Sequence, residues 1–210
     1  MFYPPEGIIE KLLPPPLRPS QMPLGAVMIG EMPCVETGTF NEAAVLLQCM
    51  FDNPKTKQEE VGVYFAYGYA NTDVAITSGR EIWGYPRKLA DISMKWKKDR
   101  LEAQVVRDGV TLIKTGCTLD DEGAWIDSGP NINLKMIPNV TGKGYDIAVL
   151  NAAYLVYDIK NGRSGEVEIE FNNGPNDIFE GVSIESTMIG LYFDTDITVP
   201  EGNKIAKFKV

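Results

Sequence analysis

Residues Asp91–Leu119, DISMKWKKDRLEAQVVRDGVTLIKTGCTL, give the clearest indication of the fold class. This stretch divides into three strand-like segments, Asp91–Lys97, Leu101–Arg107 and Val110–Leu119. Asp108-Gly109 joins the last two, and an Asp-Gly pair between strand-like segments is a strong hairpin signal because both residues tolerate the positive φ of a tight turn. The stretch therefore predicts consecutive antiparallel strands, with the KWKKDR tip as a solvated hairpin end.

The remainder of the sequence continues this pattern. Further strands are predicted at Ala43–Phe51, Val61–Ala70, Asn133–Ile137, Ile147–Ile159, Glu166–Phe171 and Met188–Phe193. Turns are predicted at Gly142-Lys143-Gly144 and Asn161-Gly162, and one short helix at Ile8–Leu13 is ended by three prolines. Strand after strand without β–α alternation favours an antiparallel meander, closed or half closed. No linker divides the chain, so residues 1–210 are expected to form a single domain.

Composition excludes several classes of function. The 210 residues include no histidine and three widely spaced cysteines, so histidine relays, a histidine or thiolate metal site and a disulfide framework are not expected. A net charge of −9 argues against a nucleic-acid or anionic-membrane surface. No apolar run is long enough to span a membrane and no secretory leader is recognisable, so a cytoplasmic protein with reduced thiols is expected.

The most unusual segment is GREIWGYPRKLA, Gly79–Ala90. Arg87 and Lys88 follow a tyrosine and a proline, and on a strand they would point to opposite faces. An apolar environment lowers the pKa of a lysine and frees its amine as a nucleophile, whereas a guanidinium stays protonated. The alternative is that both are surface cations at the start of a strand.

Four segments, in order along the chain, resemble the acetoacetate decarboxylase family. They are Leu13–Leu17 (LPPPL), Cys34–Gly38 (CVETG), Gly79–Ala90 and Asn133–Asn139 (NLKMIPN). The resemblance implies a mainly β (α+β) fold, an antiparallel β-barrel or cone with a few short helices, and a homo-oligomer. It also implies a lyase that decarboxylates a small β-keto acid through a lysine Schiff base, without a metal or another cofactor.

The chain departs from the family motif at its central residue. The family has two lysines after the proline and the first forms the Schiff base, but here that position is Arg87 and Lys88 matches the second. Three alternatives follow. Lys88 faces the pocket and forms the imine; Arg87 faces it and clamps a substrate carboxylate; or the chain is a non-catalytic relative that binds an oxo-acid or a hydrophobic ligand.

The resemblance assigns the remaining site residues. Glu36 matches the family's active-site glutamate and is the expected proton handler, with Glu42 and Glu31 as nearby alternatives. Tyr85, Trp83 and Tyr69 are expected to line the substrate pocket together with Arg87. The family also has an arginine before the first helix, upstream of the matching start here, so its clamp either precedes this sequence or has been lost or moved. An aldolase-dehydratase or a cyclase is the alternative enzyme, because imine chemistry serves these reactions too.

Overall fold

The computed structural model describes residues 1–179 and 182–208. In chain order the strands are β1 (Phe2–Tyr3), β2 (Arg18–Pro19), β3 (Gly25–Cys34), β4 (Gly38–Asp52), β5 (Glu59–Ala70), β6 (Arg87–Leu89), β7 (Asp91–Lys97), β8 (Arg100–Arg107), β9 (Val110–Glu122), β10 (Asn131–Pro138), β11 (Tyr145–Ala153), β12 (Val156–Phe171), β13 (Ser186–Thr187), β14 (Gly190–Thr198) and β15 (Asn203–Lys207). The helices are α1 (Ile8–Leu12), α2 (Asp73–Ser78) and a π-helical turn (Gly79–Trp83). The fold is mostly β, as expected.

The strands form two sheets. The first has the order β13-β1-β3-β4-β5-β10-β11-β15, with β2 beside β4 and β6 beside β5, and it curls into a half-barrel. The second has the order β14-β12-β9-β8-β7 and is antiparallel throughout. The first sheet contains two parallel pairs, β5 with β6 and β5 with β10. The expected antiparallel meander therefore describes most of the molecule, and the parallel pairs bring β6 and β10 to the same central strand.

The main core lies where the two sheets face each other. Alternate residues of β4, Ala43 and Val45, pack with Tyr69 of the first sheet and with Val105 and Leu112 of the second. All of them are almost completely buried. Residues two apart on a strand share a face, so the intervening residues of β4 point to the other side of the first sheet. That other side is where the motif segment lies.

Most predicted elements are present. Hairpin β8–β9 turns at Asp108-Gly109, where both residues have positive φ (51° and 76°), and helix α1 ends before the prolines as predicted. The KWKKDR tip is largely exposed. Glu166, Glu168 and Glu170 point to solvent and alternate with half-buried residues of β12. Lys143 lies in the turn between β10 and β11.

Two predictions about elements were wrong, and one element was not predicted. Asn161-Gly162 is not a turn but lies inside the continuous strand β12, where the register shifts after Ile159. The predicted strand Ile147–Ile159 is broken after Ala153, because β11 ends there and β12 begins in the other sheet. The helical segment Asp73–Trp83 was not predicted.

No helix in residues 1–179 or 182–208 is long and apolar enough to cross a membrane.

Candidate functional site

The segment between β5 and β6 positions the motif residues. Thr72 begins helix α2 by accepting a hydrogen bond at Oγ1 from the backbone N–H of Ala75 (3.4 Å). The π-helical turn that follows ends at Gly84, which has a φ of 84°. A Cβ at Gly84 would lie 2.7 Å from the Cα atom of Lys135, so only glycine allows this close approach to β10. The segment therefore lies tightly on the first sheet, opposite the main core.

Arg87 is held on that side of the sheet by Glu42. Its Nε and Nη2 atoms both lie 2.7 Å from Glu42 Oε1, and the side chains are only 11% and 8% exposed. Nη1 donates to the Ala75 carbonyl (2.8 Å), and the guanidinium lies over the rings of Phe40 and Tyr85, with Cζ 5.2 and 5.0 Å from the ring centroids. The result is a largely desolvated ion pair that is also satisfied by hydrogen bonds.

Lys88 points to the opposite face, as strand alternation requires. Its Nζ donates to Asp177 Oδ1 (2.8 Å) and to the Asn176 carbonyl (3.0 Å), and 41% of its side chain is exposed. Asp177 is 1% exposed and also accepts hydrogen bonds from Tyr69 Oη (3.0 Å) and Arg107 Nε (2.9 Å). Lys88 is thus a cation that anchors the loop carrying Asp177.

The carboxyl group of Asp177 is ionised in this arrangement. Its burial raises the pKa, but the hydrogen bonds from Lys88, Tyr69 and Arg107 and the charge of Lys88 more than offset this effect and leave the pKa below its ordinary value. A Schiff base requires an uncharged amine with a free lone pair. An ammonium group paired with a buried carboxylate is poorly suited to that role.

Tyr85 and Trp83 lie on the Arg87 side. Tyr85 is buried against Phe65, with ring centroids 4.8 Å apart, and its hydroxyl accepts a hydrogen bond from Asn131 Nδ2 (3.0 Å). Burial raises the pKa of Tyr85 to about 12, so the phenol is protonated at neutral pH. Trp83 donates from Nε1 to the Pro200 carbonyl (3.0 Å), and its own carbonyl accepts from Asn151 Nδ2 (3.1 Å).

The structure does not bring all the predicted site residues together. Glu36 lies exposed in the turn between β3 and β4, where its carboxylate accepts a hydrogen bond from the thiol of Cys34 (3.3 Å). Glu42, named only as an alternative, is the carboxylate that contacts Arg87. Tyr69 lies on the Lys88 side, apart from Tyr85 and Trp83. These predicted roles stay predictions, but the contacts favour Arg87, Glu42, Tyr85 and Trp83 as one group.

The sequence analysis did not identify two features near the motif, a row of asparagines and Asp177. Asn131, Asn133 and Asn151 form a row on the Arg87 side of β10 and β11, because Asn133 pairs with Asn151 across the strands. The polar i, i+2 spacing of Asn131 and Asn133 in an apolar strand was a usable signal. No sequence signal pointed to Asp177, because it follows a glycine-proline loop far from the motif in sequence.

An open groove lies elsewhere, on the second sheet. A groove of about 650 Å³ covers the polar face of the second sheet. Arg100 crosses it and pairs with Glu168 (2.7 Å), while Lys97 pairs with Glu102 (2.7 Å). These paired, solvated charges are typical of the outer face of an antiparallel sheet. They offer no group placed for chemistry, so the motif side remains the candidate site.

The fold and the site together define a class of protein, a mainly β scaffold that presents a cation from a short strand after a Gly-Tyr-Pro turn. Residues 3–207 match the family model described as acetoacetate decarboxylase (ADC), so the chain belongs to the acetoacetate decarboxylase family.

Three individual relatives share between 15% and 28% sequence identity with this chain. The chain is 28% identical over 141 residues to acetoacetate decarboxylase 2 of Mesorhizobium japonicum, a match that covers 64% of this chain and 51% of that protein. The chain thus spans about half the length of this curated relative. The crystal structure of acetoacetate decarboxylase from Legionella pneumophila matches with a TM-score of 0.85 at 22% identity, over 99% of this chain and 83% of that one. The enduracididine biosynthesis enzyme MppR, complexed with pyruvate, matches with a TM-score of 0.79 at 15% identity, over 96% and 84%.

Proposed function

We propose that this chain binds a small keto acid without forming a Schiff base, and that Arg87 holds the substrate carboxylate. The observation that carries the proposal is the orientation of the two motif cations. Arg87 points into the buried group with Glu42 and Tyr85, whereas Lys88 pairs with Asp177 on the opposite face. Because a guanidinium keeps its proton, chemistry at this position is non-covalent.

Arg87 retains hydrogen-bonding capacity for a ligand. A guanidinium has five N–H donors, and the contacts to Glu42 and the Ala75 carbonyl use three of them. Arginine binds carboxylates through paired N–H groups. Since Glu42 already neutralises the guanidinium, hydrogen bonds rather than net charge hold the ligand, and we expect a Kd on the order of 1 mM.

Glu42 is the proton handler in this proposal. It is the carboxylate nearest the clamp, and its contact with Arg87 fixes its position. A carboxylate beside a bound keto acid can take or return a proton at the carbon next to the carbonyl. Family membership supports a lyase, and the pyruvate bound to the structural neighbour MppR supports a small oxo-acid as the ligand class.

A second candidate is the lysine Schiff-base lyase, with Lys88 as the amine. Family membership and the partial exposure of Lys88 favour it, because an exposed amine is accessible to a ketone. In this route, the imine withdraws electrons while CO₂ leaves from a β-keto acid. Aldolase-dehydratase or cyclase chemistry would use the same intermediate. The ion pair with Asp177 must open first, which is why this candidate ranks second.

We also propose that the protein is cytoplasmic and forms a homo-oligomer. Cys34, Cys49 and Cys117 are all free thiols, which supports a reducing compartment. The resemblance to the family supports the oligomer.

Ligand titration tests the clamp. We expect acetoacetate and pyruvate to bind the wild type with a Kd on the order of 1 mM, measured by calorimetry or protein-observed NMR. In the double variant Arg87→Met/Glu42→Gln, which removes both charges together, the Kd is expected to rise at least about 10-fold through loss of the charge-assisted hydrogen bonds. Arg100→Met, on the second sheet, is the matched control and should bind as the wild type does. Unchanged affinity in the double variant would refute the clamp.

A further inference from the structure

Asn133 is a completely buried side chain whose amide has no hydrogen-bond partner in the part of the chain that the structure describes. Neither Nδ2 nor Oδ1 is satisfied, and the residue is 0% exposed. Its neighbours in the row differ, because Asn131 donates to the Tyr85 hydroxyl and Asn151 donates to the Trp83 carbonyl. Two asparagines of the row thus hold the motif segment, and the one between them does not.

An unpartnered buried amide is costly and uncommon in native proteins. A leucine of similar size would satisfy packing at this position without leaving polar atoms unpaired. Asn133 also lies between Ile132 and Leu134, whose side chains pack in a hydrophobic cluster with Leu150 of the neighbouring strand β11. A polar group retained at such cost indicates a partner that the protein chain itself does not supply.

Asn133 lies on the same side of the sheet as Arg87. Strand alternation places Asn131 and Asn133 on one face, and the contact from Asn131 to Tyr85 shows that this is the motif side. Tyr85 connects the two ends of the group, because its ring lies under the Arg87 guanidinium and its hydroxyl meets the asparagine row. A ligand clamped by Arg87 would therefore extend along Tyr85 towards Asn133.

We propose that Asn133 recognises the carbonyl end of the keto acid, with Nδ2 donating to the keto oxygen. The inference rests on the proposed function, since it assumes a carboxylate at Arg87. An amide also offers an acceptor, Oδ1, which can receive the hydroxyl of an enol formed from the ligand. Tyr85, which contacts the row through Asn131, and Phe65, which packs against Tyr85, are aromatic and disfavour a charged group at this end. The ligand class is thus a short acid with an uncharged oxygen at its far end.

The test compares two ligands that share a carboxylate but differ in the keto oxygen, acetoacetate and butyrate. The wild type is expected to bind acetoacetate about 10-fold more tightly than butyrate, and Asn133→Leu is expected to lose this preference while it keeps its affinity for butyrate. Asn172→Leu, which removes an exposed amide that donates to the Thr111 carbonyl outside the asparagine row, is the matched control and should retain the preference.

A second measurement does not depend on any variant. In ¹⁵N-labelled wild-type protein, the Asn133 side-chain amide resonances are expected to shift with acetoacetate and not with butyrate. The assignment of Asn133 would be overturned if the wild type and Asn133→Leu had the same preference for acetoacetate over butyrate. It would also be overturned if acetoacetate did not shift the Asn133 amide resonances. In either case, butyrate binding would still support the clamp at Arg87. Failure of both acids to bind the wild type would overturn the proposed function and this inference with it.

Discussion

The Arg87→Met variant is expected to lose about 3–5 kcal/mol of unfolding free energy, because it leaves the Glu42 carboxylate buried without its cation. Glu42 is 8% exposed, and its Oε1 atom receives two N–H groups from Arg87 at 2.7 Å. The same substitution also removes the donor to the Ala75 carbonyl, which ties β6 to helix α2. Chemical denaturation monitored by tryptophan fluorescence measures the loss.

Two further variants separate charge from packing. The double variant Arg87→Met/Glu42→Gln removes both charges and is expected to recover most of the lost stability, because a buried pair replaced as a unit costs little. Arg18→Met breaks an exposed pair with Asp52 and Glu59 and is expected to cost less than about 1 kcal/mol. If Arg87→Met costs no more than Arg18→Met, the Arg87–Glu42 pair is not the desolvated anchor described above.

The Asp177→Ala variant is expected to lose about 3 kcal/mol, since it removes a buried carboxylate that accepts hydrogen bonds from three side chains. Without it, the Tyr69 hydroxyl loses its acceptor inside the main core, and Lys88 and Arg107 lose the charge that holds the loop to β6 and β8. The loss is measured by the same denaturation at neutral pH. Asp177→Asn, which keeps the size and part of the hydrogen bonding, should lose less.

The stability that the Asp177 carboxylate contributes depends on pH in a definite direction. The folded-state pKa of Asp177 is depressed, so the carboxylate contributes its stability fully above the ordinary pKa of about 3.9 and loses it as the pH falls through the lower folded value. The stability difference between the wild type and Asp177→Asn should therefore be largest at neutral pH and shrink below about pH 4. A difference that stays constant down to pH 2 would contradict the ionised, paired state of Asp177.

Local sequence signals predicted much of the fold. Alternation and turn residues identified the hairpins of the second sheet, since Asp108-Gly109 allows few alternatives in a tight turn. The same reasoning failed at Asn161-Gly162, because strand pairing on both sides of β12 overrides a local turn preference. The parallel pairing of β6 and β10 with β5 joins distant segments and leaves no local signal.

The site was predictable only in part. Strand alternation required Arg87 and Lys88 to face opposite ways, and the structure confirms this, but sequence could not decide which of them faces inward. That choice depends on distant partners, because Glu42 on β4 and Asp177 in a far loop each bind one cation. Glu36 matches the family motif but lies in an exposed turn. Glu42 contacts Arg87 because strand pairing places β4 beside β5, and β6 pairs with β5.

Borohydride trapping of the wild-type protein with acetoacetate or pyruvate distinguishes non-covalent binding at Arg87 from an imine on Lys88. Borohydride reduces an imine to a stable amine, so a lysine that forms a Schiff base acquires the mass of the reduced ligand. The Arg87→Lys/Glu42→Gln variant, which places an amine at position 87 without the carboxylate that would hold it as an ammonium ion, is the positive comparison and is expected to gain an adduct there. For the wild type, non-covalent binding at Arg87 predicts an unchanged intact mass, and a reduced adduct located on Lys88 by peptide mapping would contradict it.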